Sequence, residues 1–296
     1  MNIARGNEGL SYVKQLLGMF FLVIAVCGGP FMLYTVKEEI VFAPENVVVR
    51  TVHLIQQIAG GSLGTYYLGQ NERSIAEDIV PFAISTFELL FSSVLIAVVA
   101  SLVFGLFLQR FGIVRQFQKL LNLIATIPDF ILIFLSILAA VGFYKLTSIR
   151  IITLSPTSDA DNSWFPMTLL AIGPTIFLMK VVSLKYSQIG GEDYIKTALA
   201  KGMGVWHVLT HHVYKNIKPF LLADLKKTIA ITVGNLFIVE YLLNVVGLTR
   251  FIFSKSGPYQ FNAAVMGLLG IILLSILVYL LIRVILYLFE RAVVYK

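Results

Sequence analysis

The apolar residues of this chain arrive in long uninterrupted blocks, and that patterning restricts its fold more than any single motif. Six blocks reach about 20 residues, the length a helix needs to cross a bilayer. They occupy residues 15–36, 82–108, 120–146, 165–187, 219–243 and 262–285. A soluble core of a 296-residue chain would place its apolar residues at amphipathic spacing instead. Composition agrees: 58% of residues are hydrophobic, 13% are charged and the mean hydropathy is +0.86, well outside the soluble range. The expected fold is all-α, a polytopic integral membrane protein with six transmembrane helices. The fifth block is the least clean, because Asp224, Lys226 and Lys227 interrupt its start. Their long side chains suit the rim of the membrane, where they reach water.

Orientation follows from the basic residues, since loops facing the cytoplasm carry the Lys and Arg excess. With the N-terminus inside, Arg5, Lys14, Arg110, Arg115, Lys119, Lys185, Lys196, Lys201, Lys215, Lys218, Lys226, Lys227, Arg291 and Lys296 face the cytoplasm. Lys37, Arg50, Arg73, Lys145, Arg150, Arg250 and Lys255 fall outside. Fourteen against seven places both termini inside. Topology and anionic lipid then account for the net charge of +7, and no nucleic-acid partner is required.

The first block is too long for a signal-peptide core and runs past Cys27 to Val36, which favours a retained span. Cys27 is the only cysteine, so no internal disulfide exists, and it reads as a small buried apolar residue. Residues 37–81 form the longest stretch between blocks, with Gly60-Gly61-Ser62-Leu63-Gly64 as a turn and Ser74–Val80 as a short helix at the interface. This segment is too short for an independent domain. Residues 147–164 and 244–261 are smaller external loops broken by Gly or Pro.

Catalytic and nucleotide motifs are missing from the sequence. No Gly-x-x-x-x-Gly-Lys-Ser/Thr run occurs, so a P-loop cannot cradle phosphates here. Gly202-Met203-Gly204 lacks the strand–helix context of a dinucleotide fingerprint. His207 and His211 are spaced to share a helix face, with His212 beside them, yet no cysteine or carboxylate joins them and a solvated basic loop explains the group. Asp159, Asp161 and Asn162 resemble a piece of a calcium loop without its later Gly and Glu, and read as a polar turn. No nucleophile, base and orienting acid can be assembled. The expectation is a chain that is not an enzyme, with no catalytic residues, metal or cofactor of its own.

One charged island interrupts the apolar pattern between the fourth and fifth blocks. Asp193-Tyr194-Ile195-Lys196-Thr197-Ala198-Leu199-Ala200-Lys201-Gly202 is followed by His212-Val213-Tyr214-Lys215-Asn216 and Pro219. Tyr194, Ala198, Lys201 and Val205 recur at three- and four-residue spacing, which predicts a helix over 193–205. These residues resemble the cytoplasmic EAA-type loop of ABC transporter permeases, in the form carried by oligopeptide, dipeptide and nickel permease subunits. Other pieces fall in register with that family. They are Gly173-Pro174 with Lys180 where Arg is usual, Ile127-Pro128-Asp129-Phe130, Gly61-Ser62-Leu63-Gly64, Ser85-Thr86, and Glu240 with Gly247-Leu248. The resemblance covers roughly residues 55–290. Departures are the missing Pro-Gly-Asp-Pro after the first span, Ser183 where a second Arg is common, and Lys226 and Lys227 in the fifth span.

The resemblance implies a permease subunit of a bacterial plasma-membrane importer, multi-pass with both termini cytoplasmic. Residues 1–14 would be the inner N-terminus, 15–36 the first span and 37–81 an extracellular segment. Residues 82–290 would be the permease domain with its coupling loop at 188–218, and 291–296 the inner C-terminus. The partners implied are a second homologous permease subunit, two ATP-binding cassette subunits that hold ATP and Mg, an extracellular solute-binding protein, and membrane lipid. Asp193, Tyr194, Ala198, Ala200, Lys201, Gly202, His212 and Asn216 would serve ATPase coupling. In that scheme small residues permit close packing in the ATPase cleft. Asp193 complements the helix dipole and caps it, Lys201 meets an acidic group, and His212 and Asn216 hold the loop against its own spans.

Ionisable residues inside spans are costly, about 2.5–3.5 kcal/mol each near a helix centre, and so point to a polar interior. Glu88, Asp129, Lys180, Glu240 and Arg283 qualify. Glu88, Asp129, Lys180 and Glu240 are the candidates for a substrate pathway, with a hydrogen bond to the 244–261 loop as the alternative role of Glu240. Three other functions remain open to the sequence. They are an ion-coupled secondary transporter or channel acting alone, a permease for nickel- or opine-type solutes, and a membrane scaffold or sensor with a degenerate permease fold, hinted at by Lys226 and Lys227.

Overall fold

A computed structural model describes residues 2–36, 39–109, 111–149, 164–253 and 259–294. Asp159, Asp161 and Asn162 lie outside the described residues. Helix α1 (Asn2–Met32) gives way to β1 (Leu33–Val36), which pairs antiparallel with β2 (Glu39–Phe42). The first apolar block therefore ends its helix at Met32, and its last four residues, rich in β-branched and aromatic types, turn to strand. Helix α2 (Glu45–Ala59) precedes the hairpin of β3 (Thr65–Leu68) and β4 (Asn71–Ser74). The hairpin turns at Gly69, whose φ of +68° is the left-handed conformation a two-residue turn requires.

Helix α3 (Ile75–Leu102) continues as a π-helical turn over Val103–Phe107. Residues 74–80 are thus not the separate interfacial helix expected from the sequence. Ser74 ends β4, and Ile75 opens one long helix whose first turn carries Glu77 and Asp78 against the positive end of its dipole. The third apolar block is likewise divided into α4 (Gly112–Ile124) and α5 (Asp129–Thr147). Pro128 is the cause. It has no N–H to continue α4, and it sits at φ −55° and ψ 137° as the residue that starts α5.

The remaining elements are α6 (Trp164–Gly190), α7 (Asp193–Ala200), α8 (Val205–His207), a second π-helical segment at Val208–Tyr214, α9 (Lys215–Leu242), α10 (Leu248–Ile252) and α11 (Phe261–Val294). Among the described residues, four helical stretches are long and apolar enough to cross a membrane: Ile75–Phe107, Asp129–Thr147, Trp164–Gly190 and Phe261–Val293. Gly18–Met32 is a shorter apolar helix. Helix α9 has the length but carries Asp224, Lys226 and Lys227.

Contacts gather the chain into two compact units, residues 1–85 with 246–273 and residues 86–245 with 274–296. The 37–81 segment accordingly folds together with α1 and α10, not alone. In the first unit Val47 of α2 rests on Gly28 of α1, where an added Cβ would lie 2.5 Å from Val47 Cγ1. The Phe251 ring meets Tyr66 at 5.1 Å and Phe82 at 5.4 Å, and Leu54 and Ile75 of the same unit are fully buried.

The second unit is built on the packing of α6 against α9, its most extensive helix pair. Leu170, Leu178 and Val182 from α6 and Leu221, Leu225 and Leu236 from α9 are fully buried. Thr228 and Thr232 are buried with them and return their hydroxyl protons to the carbonyls of Asp224 and Thr228, both at 2.9 Å. Gly105 brings the π-helical end of α3 close to α6, with Val182 Cγ1 3.1 Å from where its Cβ would stand.

Candidate functional site

Between α6 and α9 the chain makes a compact loop around α7. Gly191 and Glu192 leave α6 in a turn, and Glu192 at ψ 145° starts α7 without a side-chain cap. Asp193 is therefore the first helical residue and not the cap. Its carboxylate complements the dipole and accepts from Lys196 Nζ at 3.0 Å, both groups being largely exposed. Ile195 and Ala198 form the buried edge of α7, at 4% and 6% exposure.

The helix stops at Ala200, short of the 205 expected from periodicity. Gly202 adopts φ +81°, its N–H donates to Leu199 O at 2.9 Å, and Met203 N–H reaches back to Ala198 O at 3.2 Å. This paired closure is a Schellman motif with glycine in its left-handed position. An added Cβ at Gly202 would meet nothing within 4 Å, so the residue is fixed by its backbone conformation and not by crowding within the chain. Lys201 lies at the cap and is exposed.

The far end of the loop closes back on the start of α9. Asn216 Nδ2 donates to the Tyr194 hydroxyl at 3.0 Å and to His212 O at 2.7 Å, while the Tyr194 and His212 rings sit 6.5 Å apart. Tyr194, His212 and Asn216 thus converge. Trp206 packs against Phe107 of the first π-helical turn at 5.9 Å. Lys218 near the start of α9 pairs with Glu290 of α11, each side chain only 14% exposed. Tyr214 is fully buried against Phe289, and its hydroxyl finds no hydrogen-bond partner among the described residues. Burial, and then the charge of Glu290, push its phenol well above the ordinary range.

His207 and His211 stack with ring centroids 3.9 Å apart, and His212 lies edge-on to His207 at 6.3 Å. No third ligand joins them, and no group of three metal-binding side chains occurs among the described residues. What α7 leaves open is an apolar surface: Tyr194, Leu199, Met203, Val205 and Trp206 are each 40–54% exposed.

Of the expected pathway residues, Asp129 and Glu240 have defined side-chain partners. Asp129, the first residue of α5, accepts from Asn235 Nδ2 of α9 at 2.9 Å, and its carboxylate lies on Gly173 of α6. A Cβ at Gly173 would come within 2.5 Å of Asp129 Oδ2. Two sequence fragments recognised separately, Pro128-Asp129 and Gly173-Pro174, therefore meet in space. Glu240 is 1% exposed and accepts from Thr86 Oγ1 of α3 at 2.6 Å. Glu88, Lys180 and Arg283 are exposed, as are Lys226 and Lys227, whose ammonium groups lie 5.8 Å from the Tyr279 ring and 4.7 Å from the Phe177 ring.

Residues 93–295 match the family of binding-protein-dependent transport system inner membrane components, over more than half of the chain. The chain belongs to that family. Its members are permease subunits of ABC transporters, so this permease is a conduit and not an enzyme. It is similar to the peptide transport system permease protein SapB of Haemophilus influenzae, 23% identical over 268 residues, 79% of this chain and 81% of the relative. The dipeptide transport system permease protein DppB of Bacillus subtilis is 24% identical over 169 residues, 56% of this chain and 53% of its own length. The oligopeptide transport system permease protein OppB of Mycoplasma genitalium is 28% identical over 235 residues, 72% and 54% respectively. This permease spans about half the length of the last two. The matched region contains α7, the Asp129–Gly173 contact and the Lys218–Glu290 pair.

Several parts of the site were outside the reach of sequence reasoning. The Lys218–Glu290 pair and the Trp206–Phe107 contact join distant segments and leave no local mark. Gly202 was visible as a glycine directly after a helical run, the usual signal of a left-handed cap, although periodicity carried the expected helix through it.

Proposed function

We propose that this permease carries short peptides across the bacterial plasma membrane as one half of the pathway of an ATP-driven importer. A second similar permease subunit supplies the other half. Two ATP-binding cassette subunits hold ATP and Mg, and an extracellular solute-binding protein delivers the peptide. The relatives named for peptide, dipeptide and oligopeptide transport support the cargo class. In this reading six spans cross the membrane with both termini inside, and the 188–218 loop projects into the cytoplasm.

The observation that carries the coupling role is the form of α7. A two-turn helix, closed by Gly202 and braced on α9 through Tyr194 and Asn216, presents Tyr194, Leu199, Met203, Val205 and Trp206 outward. Apolar groups left exposed on a loop outside the spans suit a protein partner. Asp193, Ala198, Ala200, Lys201 and His212 complete the coupling set. Closure of the ATPase dimer would then move α7 as a rigid body, and the bracing would pass that motion to α9 and, through Lys218 and Glu290, to α11. Asp129, Glu88, Lys180 and Glu240 are the proposed polar positions of the pathway.

Reconstitution tests this. The purified permease with its ATPase subunits, in proteoliposomes with the binding protein, should take up labelled di- and oligopeptides only when ATP is hydrolysed. Uptake by the permease alone, driven by an ion gradient, would contradict it.

A further inference from the structure

The first unit contains a cavity of about 800 Å³, within the size range of small-ligand sites. Its walls come from the end of α1, one side of α2, the β3–β4 hairpin and the residues that open α11. Helix α2 turns Arg50, His53 and Gln57 toward this cavity at helical spacing, while Val47 and Leu54 face the core and Val48, Val52 and Ile55 lie exposed elsewhere on its surface. Tyr67 and Glu72 stand opposite each other across the hairpin and line the other wall.

The walls are fixed in place by side-chain amides. Gln260 accepts from Tyr67 N–H at 2.6 Å and donates to Tyr67 O at 2.6 Å, taking both edge groups that a further strand would take. Asn262 donates to Thr65 O and to Gln57 Oε1, both at 3.3 Å. The hairpin is thereby held against α2 and the start of α11 without closing the cavity.

Two opposite charges line this space. The Arg50 guanidinium carbon lies over the Phe31 ring, 4.1 Å from its centroid, and no carboxylate of a described residue lies within ion-pair range of it. A guanidinium held over a ring keeps in-plane N–H donors that suit a planar carboxylate. Glu72 has no cation within ion-pair range among the described residues either. Phe31, Tyr67 and Tyr259 add aromatic surface to the same cavity.

We propose that this cavity is a binding site for a short peptide with free ends, the carboxylate held by Arg50, the ammonium by Glu72 and a side chain against the aromatic wall. It is a station that peptides occupy on the way into the pathway. This rests on the peptide-transport reading and adds a site to it.

The test uses the complete transporter in proteoliposomes, with a labelled tripeptide and its C-terminally amidated and N-acetylated forms. Arg50→Gln should raise KM for the free tripeptide about tenfold with little change in kcat, and should leave transport of the amidated form unaltered. Glu72→Gln should raise KM for the free tripeptide by a similar factor and leave transport of the N-acetylated form unaltered. This crossed pattern separates direct recognition from damage to the fold, which would affect all three ligands equally. An unchanged KM in both variants, or an equal rise for all three ligands, overturns the site while leaving peptide transport standing. Failure of the wild-type transporter to move any peptide overturns the peptide reading and the site with it.

Discussion

Asn216 Nδ2 donates to the Tyr194 hydroxyl at 3.0 Å, joining the first turn of α7 to the first turn of α9 across 22 residues of chain. That bond makes the loop a lever with a fixed joint. Tyr194→Phe removes the acceptor and keeps the ring. A neutral hydrogen bond contributes about 0.5–1.5 kcal/mol, so transport per ATP hydrolysed should fall about two- to tenfold with ATPase activity retained. Asn216→Ala, which also loses the bond to His212 O, should cost at least as much, and the double variant should do no more harm than Asn216→Ala alone. Additive losses in paired uptake and phosphate-release assays would show that the two residues act separately.

At Gly202 the demand is conformational. A φ of +81° is tolerated by asparagine and opposed by β-branched residues, and the left-handed region costs an L-residue about 1–2 kcal/mol. Gly202→Asn should transport close to the wild-type rate and Gly202→Val should couple poorly, although no neighbour within the chain obstructs either side chain. Uptake rates at equal membrane content decide this. Equal failure of both variants would mean that bulk at a partner surface, and not backbone geometry, governs the position.

Gly173 and Asp129 test the packing of α5 on α6. A methyl group at Gly173 would press on the Asp129 carboxylate at 2.5 Å, so Gly173→Ala should cost about 1–3 kcal/mol. Replacing Asp129 with glycine in the same chain should recover much of the loss, because the two sites share one contact. Thermal unfolding of the detergent-solubilised protein measures both. Independent, additive effects would exclude the contact.

Tyr66 gives the first unit a pH signature. Its phenol is pushed up to about 12 from 10.0, first by burial, then by the hydrogen bond it donates to Asp78 Oδ2 at 2.7 Å and by that carboxylate's charge. A raised folded-state value favours the neutral phenol. Its contribution to stability is complete below pH 10 and is lost as pH rises through about 12. Subtracting the tyrosinate titration of Tyr66→Phe from that of wild type should isolate a step near pH 12. A step at the ordinary value would mean that Tyr66 is solvated.

Much of this architecture could be read from local sequence, because membrane helices announce themselves by length and composition. Asp193 and Tyr194 mark the start of α7 where periodicity and charge predict it. Pro128 breaks the third block for a reason visible in the residue itself, a missing N–H. What the sequence concealed depends on distance or on backbone detail. Glu240 finds Thr86 across 154 positions, and Asp129 meets Asn235 across 106. The π-helical segments at Val103–Phe107 and Val208–Tyr214 carry no composition that separates them from α-helix. The cavity beside Arg50 needs α1, α2, the β3–β4 hairpin and the start of α11 brought together before its residues become neighbours.

The central claim is that α7 receives force from a separate ATPase. Leu199 is 45% exposed and Cys27, the sole native cysteine, is buried, so a cysteine placed at Leu199 after Cys27→Ala reports one surface only. In the intact transporter this cysteine should cross-link to an ATP-binding cassette subunit, with a yield that changes between nucleotide-free and ATP-bound states. A cysteine at Leu199 that labels freely with a water-soluble maleimide in every nucleotide state, and forms no cross-link, would contradict the account.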